Sequence, residues 1–271
     1  MKLRHLVTLQ DLNASEILHL FRTASQLKHQ KATPSNRPLT GRTLGLLFQK
    51  PSIRTRVSFE VGMAQLGGQS LYIGPIELQE GKREPPKDIA RVLSRYLNIL
   101  VARTFQHQEV EELAQFASIP VINGLSDDSH PCQALADLFT IQEKLGRLRG
   151  VRVAYVGDGN NVCHSLLEGC ALVGTHLSVA APAGYAPDRK IVRWAQTMAA
   201  KSGARIVCLR EPEEAAKGAD VLYTDVWASM GQEDEREQRK RIFQPFQVNR
   251  TLMRKASTKA LFMHCLPAHR G

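Results

Sequence analysis

Short apolar runs alternate with amphipathic stretches along this chain, and the alternation runs through twice. Such a pattern belongs to parallel strands, because each needs a crossover of about a dozen residues, usually helical, before the next strand can pair beside it. An α/β chain is therefore predicted. In the first half, strands are expected over 43–48, 70–73, 99–103 and 121–123, with helices over 15–28, 53–66, 88–97 and 108–117. Gly67-Gly68 stops the second of these helices. A long amphipathic segment over 131–145, closed by Gly146, leads into further strands over 151–156, 176–181, 205–208, 221–224 and 261–264. The expected architecture is two doubly wound parallel-sheet domains, residues 1–145 and 146–271, with an interdomain active-site cleft at the carboxyl ends of the strands.

Composition narrows the function. The 271 residues are 43% apolar and 23% charged, as in globular chains with room for two cores. A formal charge of +10 would suit a polyanion, but Lys and Arg intermingle with Asp and Glu, and aromatic residues make up only 6%. No dedicated nucleic-acid surface is expected; the positive balance serves equally to gather small anions into a concave site. Cys132, Cys163, Cys170, Cys208 and Cys265 are odd in number and include no C-x-x-C pair, so they read as reduced thiols. No apolar stretch approaches a membrane span and no signal-type segment opens the chain, which predicts a soluble cytoplasmic protein with no membrane partner.

Six groups sit where strands are expected to end or the following helices to begin. Pro51-Ser52-Ile53-Arg54-Thr55-Arg56 places guanidinium and hydroxyl groups at a helix entrance, where backbone N–H groups and the helix dipole already favour an anion. Ser52 is equally an ordinary N-cap. Arg103 closes an apolar run, either as a solvated terminus or as a second cation at the site. In His130-Pro131-Cys132-Gln133, His130 and Gln133 lie one helical turn apart, able to meet a carbonyl oxygen and an amide. Gly157-Asp158-Gly159-Asn160-Asn161 departs from the dinucleotide pattern G-x-G-x-x-G, so no nicotinamide cofactor is expected; its asparagines either recognise a polar ligand or cap a helix. Asp225, at the head of Asp225-Val226-Trp227-Ala228-Ser229-Met230-Gly231, is a turn residue or the partner of a cationic ligand, and His264-Cys265-Leu266-Pro267 ends the last strand.

Taken in order, Ser52-Ile53-Arg54-Thr55-Arg56, Arg103, His130-Pro131-Cys132-Gln133, Asp225 through Gly231, and His264-Cys265-Leu266-Pro267 resemble the aspartate/ornithine carbamoyltransferase family, most closely its ornithine branch. The resemblance runs across essentially the whole chain. It implies transfer of a carbamoyl group from carbamoyl phosphate to the side-chain amine of L-ornithine, without metal or cofactor. Ser52, Ile53, Arg54 and Thr55 would then hold the phosphate. Arg103, His130 and Thr55 would meet the carbonyl oxygen, Gln133 the carbamoyl amide, and Cys265 and Leu266 would help orient it. Asp225, with Cys265 beside it, would take the amine, while Asn161, Ser229 and Met230 would hold the amino-acid end. The resemblance further implies a homotrimer, or a multiple of trimers, in which Gln79 of a neighbouring subunit reaches the phosphate.

Putrescine, an acylated ornithine or aspartate are the rival acceptors. The acidic Asp225 argues against aspartate, and the residues assigned to a carboxylate argue against putrescine. A catalytically silent anion-binding relative is the other class. The polar stretch over 231–241 is expected to be a loop leading into a helix and to serve as a lid. Family members continue past the His-Cys-Leu-Pro segment into a further helix, so the resemblance implies a chain lacking its last part.

Overall fold

The structure is a computed structural model that describes residues 4–29, 37–76, 84–228 and 233–269. Two compact units divide it, Met1–Cys132 and Gln133–Gly271. In the first, β1 (Thr43–Phe48), β2 (Gln69–Ile73), β3 (Ile99–Arg103) and β4 (Val121–Leu125) form a parallel sheet in the order β2-β1-β3-β4. Its helices are α1 (Ala14–His29), α2 (Ile53–Gln65), α3 (Pro86–Leu93) and α4 (His107–Phe116).

The central strands are apolar on both faces because both faces are covered. Leu44, Leu46 and Phe48 of β1 pack with Val101 of β3 and Met63 of α2 on one side. Leu47 joins Leu100, Ala102, Val110 and Leu113 on the other. The strand period of two thus splits one apolar run between two cores. Register then sets the chemistry: Phe48 pairs with Arg103, so the guanidinium emerges where the sheet ends beside the β1–α2 turn.

The helix α5 (Pro131–Leu145) carries the chain into the second unit, whose parallel sheet runs β7-β6-β5-β8-β9. Its strands are β5 (Arg152–Val156), β6 (His176–Ala180), β7 (Ile206–Leu209), β8 (Val221–Thr224) and β9 (Leu261–His264). The helices are α6 (Asn161–Val173), α7 (Arg189–Ser202), α8 (Pro212–Ala216), α9 (Arg236–Phe243) and α10 (Arg250–Met253). Ala154, Val156 and Leu222 face a core completed by Ala215, Ala216 and Phe243. From the alternate positions, Tyr155 and Tyr223 stack with ring centroids 5.8 Å apart. The division between units falls in the first turn of α5, after Cys132. Fully buried Leu138 and Ile141, and the bond from the Tyr223 hydroxyl to Asp137 Oδ2 (2.8 Å), fasten α5 to the second sheet.

Nine strands stand where they were expected, within one or two residues at their ends. The helix expected over 88–97 is displaced to Pro86–Leu93, since Pro86 is favoured in a first turn and the Ser94 hydroxyl bonds back to Ala90 O (2.6 Å). Leu6 adds a bridge beside Ile122 at the β4 edge, and a single paired residue leaves no periodicity to detect. Part of the polar stretch over 231–241 is helix α9, whose buried Arg239 pairs with Asp158 (2.7 Å) and Glu235 (2.8 Å). Glu233–Glu235 before it form a 3-10 helix, and residues 231–232 fall outside the described residues. Among the described residues no helix is long and apolar enough to cross a membrane.

Gly159 is where the β5–α6 turn has no room for a side chain. A Cβ there would lie 2.2 Å from Pro187 N and 2.5 Å from Ala186 C, both backbone atoms that cannot swing aside. Gly159→Ala is therefore expected to destabilise the chain by about 1–3 kcal/mol, seen as a lower urea midpoint with an unchanged slope.

Candidate active site

In each unit the strand order reverses beside the first strand, between β1 and β3 and again between β5 and β8. The loops leaving those strands turn in opposite directions and leave a crevice at their carboxyl ends. Ser52 to Thr55 and Arg103 lie at the ends of β1 and β3, and Asn161 and Asp225 at those of β5 and β8, whereas His130 and Gln133 come after β4 and Cys265 and Leu266 after β9.

In the first unit the cation site begins with the N-cap of α2. The Ser52 side chain accepts from Thr55 N (3.4 Å) and its hydroxyl meets Thr55 Oγ1 at 3.0 Å. Ile53 follows with 82% of its surface exposed, and Arg54 is exposed beside it. From β3, Arg103 donates through Nη1 to Thr55 Oγ1 at 3.3 Å. Only 4% of Arg103 is exposed, and burial together with the charge of Arg54 lowers its pKa to about 10. It is still a cation near neutral pH, in a place that disfavours a cation. Among the described residues no carboxylate pairs with Arg54 or Arg103, and the buried Nε of Arg103 finds no acceptor. A group in that condition is stabilised by an incoming anion. Arg56 of the same motif turns away, pairing with Glu60 (3.0 Å) and lying 3.8 Å from the Tyr72 ring centroid.

His130 ends a loop fastened on several sides. Asn123 of β4 donates to Ser126 Oγ (3.1 Å) and Ser129 O (3.4 Å), His107 Nδ1 meets Ser126 Oγ (2.7 Å), and Asp127 accepts from His107 N (2.7 Å). Burial and then the charge of Arg103 push the His130 pKa down to about 3. The ring is neutral at physiological pH, with one N–H to donate. Lys50 escaped notice in the sequence because it reads as a solvated loop residue. It is buried, close enough to Arg103 for that charge to add to the lowering of its pKa by desolvation, and its Nζ lies 4.5 Å over the Phe105 ring.

The second unit carries the opposite sign. Buried Asp225, just past β8, accepts from Asn160 Nδ2 and from Val226 N, each at 2.7 Å. Asn160 also caps α6, accepting from Val162 N and Cys163 N at 3.1 Å, so one side chain both starts the helix and aims the acid. Asn161 opens the same helix. Ligand-capable atoms of Asp225, His264 and Cys265 lie within 4.8 Å of one another. The Cys265 thiol is pushed far up by burial and by the Asp225 carboxylate, and His264 Nδ1 bonds to Cys265 O. A protonated thiol and an engaged ring nitrogen suit a hydrogen-bonding wall better than metal ligation, which needs the thiolate. Leu266, next along, is 58% exposed. Gln133 Nε2 donates to Asp137 Oδ1 at 3.1 Å, and burial raises the Asp137 carboxyl to about 7 against the pull of its donors Tyr223 and Gln133. Gln79, Ser229 and Met230 lie outside the described residues. All five cysteines are unpaired.

Comparison with known proteins agrees with this chemistry in both units. Residues 4–143 match the family model "Aspartate/ornithine carbamoyltransferase, carbamoyl-P binding domain", and residues 149–271 match "Aspartate/ornithine carbamoyltransferase, Asp/Orn binding domain". An ornithine carbamoyltransferase of Pyrococcus horikoshii is 55% identical over all of this chain and 86% of its own length. An anabolic ornithine carbamoyltransferase of Pyrococcus furiosus is also 55% identical, over 99% of this chain and 85% of its own. A solved structure of ornithine carbamoyltransferase from Pyrococcus furiosus superposes with a TM-score of 0.95 at 54% identity, covering 99% of this chain and 86% of that one.

The neutral His130 gives a stability signature. An unfolded histidine takes up a proton below its ordinary pKa of 6.5, whereas the folded one does so only near 3. This group therefore removes stability as pH falls below 6.5, by about 1.4 kcal/mol per pH unit. Urea unfolding at pH 7 and pH 5 should show the wild type losing about 2 kcal/mol more than His130→Asn over that interval.

Proposed function

We infer that this chain, which belongs to the aspartate/ornithine carbamoyltransferase family, transfers the carbamoyl group of carbamoyl phosphate to the side-chain amine of L-ornithine, yielding L-citrulline and phosphate as an anabolic step. The observation that carries this reading is the contrast between the two switch points: guanidinium groups with no carboxylate partner among the described residues at one, a buried carboxylate at the other. An anionic donor and a cationic acceptor are the substrates such a pair accepts.

Attack of the amine on the carbonyl carbon places negative charge on the carbonyl oxygen, and phosphate leaves as an anion. Ser52, the Ile53 backbone, Arg54 and Thr55 hold that phosphate at the N-terminus of α2. Arg103, Thr55 and the neutral His130 donate to the carbonyl oxygen; their stabilisation grows as its charge grows, which is what lowers a barrier. Because the burial of Arg103 and the anchoring of the His130 loop are set during folding, little reorganisation remains for the reaction itself.

Gln133 takes the carbamoyl amide, and Leu266 with Cys265 closes against the same group. The attacking amine must be neutral. For a lysine-like amine of pKa about 10.4 that form costs about 4–5 kcal/mol at pH 7. Asp225 captures and aims the cation, with Cys265 beside it, and the arginines that bind the phosphate favour proton loss once the amine approaches them. Asn161, Ser229 and Met230 take the amino-acid end of ornithine. By family resemblance the working form is a cytoplasmic homotrimer in which a neighbour's Gln79 reaches the phosphate.

The test is citrulline production by the purified chain from carbamoyl phosphate and ornithine, with putrescine, N-acetylornithine and aspartate as parallel acceptors. Arg54→Ala should lower kcat/KM about a hundredfold or more, the scale of one lost transition-state donor. A folded protein that releases no phosphate with any of these amines would count against the reading.

A further inference from the structure

Asp137 is a buried carboxylate for which the transfer chemistry has no direct use, and only 5% of it is exposed. Both of its oxygens are taken: Oδ1 accepts from Gln133 Nε2 at 3.1 Å and Oδ2 from the Tyr223 hydroxyl at 2.8 Å. Tyr223 lies on β8, two residues before Asp225, and stacks on Tyr155. The Tyr155 hydroxyl reaches Asn160 Oδ1 at 3.2 Å, and Asn160 holds Asp225 through its other amide atom. A continuous series of contacts therefore joins Gln133 to Asp225.

A glutamine amide has nearly the same shape when its oxygen and nitrogen are exchanged, so packing alone does not choose between them. A carboxylate is an acceptor only and can be met by the nitrogen alone. We propose that Asp137 is a positioning residue that turns the Gln133 nitrogen inward, leaves the oxygen to receive the carbamoyl N–H, and ties that oxygen to the strand carrying the amine-binding acid. This rests on the assignment of Gln133 to the carbamoyl amide.

The substitution Asp137→Asn would reverse the arrangement. Tyr223 would donate to the one oxygen of the new amide, and the NH2 of that amide would face Gln133. Gln133 would then have to turn its own oxygen inward and present a donor to the donor NH2 of the substrate. The probe is acetyl phosphate, which keeps the carbonyl and phosphate of carbamoyl phosphate but carries a methyl in place of the amide. Dissociation constants for both ligands are measured at pH 8 on the full chain. The wild type should prefer carbamoyl phosphate, and Asp137→Asn should lose that preference about tenfold or more, the scale of an unmatched buried polar pair, with acetyl phosphate changed less than about twofold. Asp137→Ser, too short to reach Gln133, is the second variant and should behave alike. Equal weakening of both ligands in folded variants would mean that Asp137 only supports the structure, and would overturn the inference. Absence of any preference in the wild type would instead overturn the assignment of Gln133.

Discussion

Both sheets are parallel, and in each the chain goes out one way from its first strand and returns to the other side. That reversal is the constraint on which the site depends. Two loops leaving adjacent strands in opposite directions cannot cover the strand ends between them. In the first unit the uncovered place receives the α2 entrance from β1 and Arg103 from β3, which meet through Thr55. In the second it receives Asn160 from β5 and Asp225 from β8, which also bond directly. The same topological step thus gathers charge of opposite sign in each unit.

Their difference in sign comes from what each crevice buries. In the first unit Arg103 is held in a desolvated place with Arg54 near it and, among the described residues, no acid paired with either, a condition that an anion would relieve. The same surroundings keep His130 neutral, so that it adds no third cation. In the second unit Asp225 is given two donors, Asn160 and its neighbouring backbone N–H, and keeps a thiol beside it protonated.

Much of the fold was readable because parallel strands buried on both faces are continuous apolar runs, and the nine runs stand out from the amphipathic helices around them. The α2 entrance was readable for a local reason: N-cap, hydroxyls and arginine are contiguous in sequence. What was not readable depends on distance along the chain. Asn160 presents itself as a helix cap, which it is, and its second bond is to a residue 65 positions away. Lys50 looks like a solvated loop residue until Phe105 and Arg103 are brought against it. Asp137 reads as one polar position on an amphipathic helix, and only Tyr223, 86 positions on, shows that its face is inward.

The amino-acid sequence by itself determined the α/β class, two successive parallel series, the strand ends at which chemistry would gather, and the family those residues resemble. Tertiary structure alone decided where the arginines go, sending Arg56 of the motif to Glu60 and Tyr72 and bringing Arg103 beside Thr55 through its register with Phe48. It also decided the protonation of His130 and the elevated carboxyl of Asp137. The reason is physical: periodicity and capping act over a few residues and are written locally, whereas desolvation and Coulomb interactions depend on neighbours that only folding supplies.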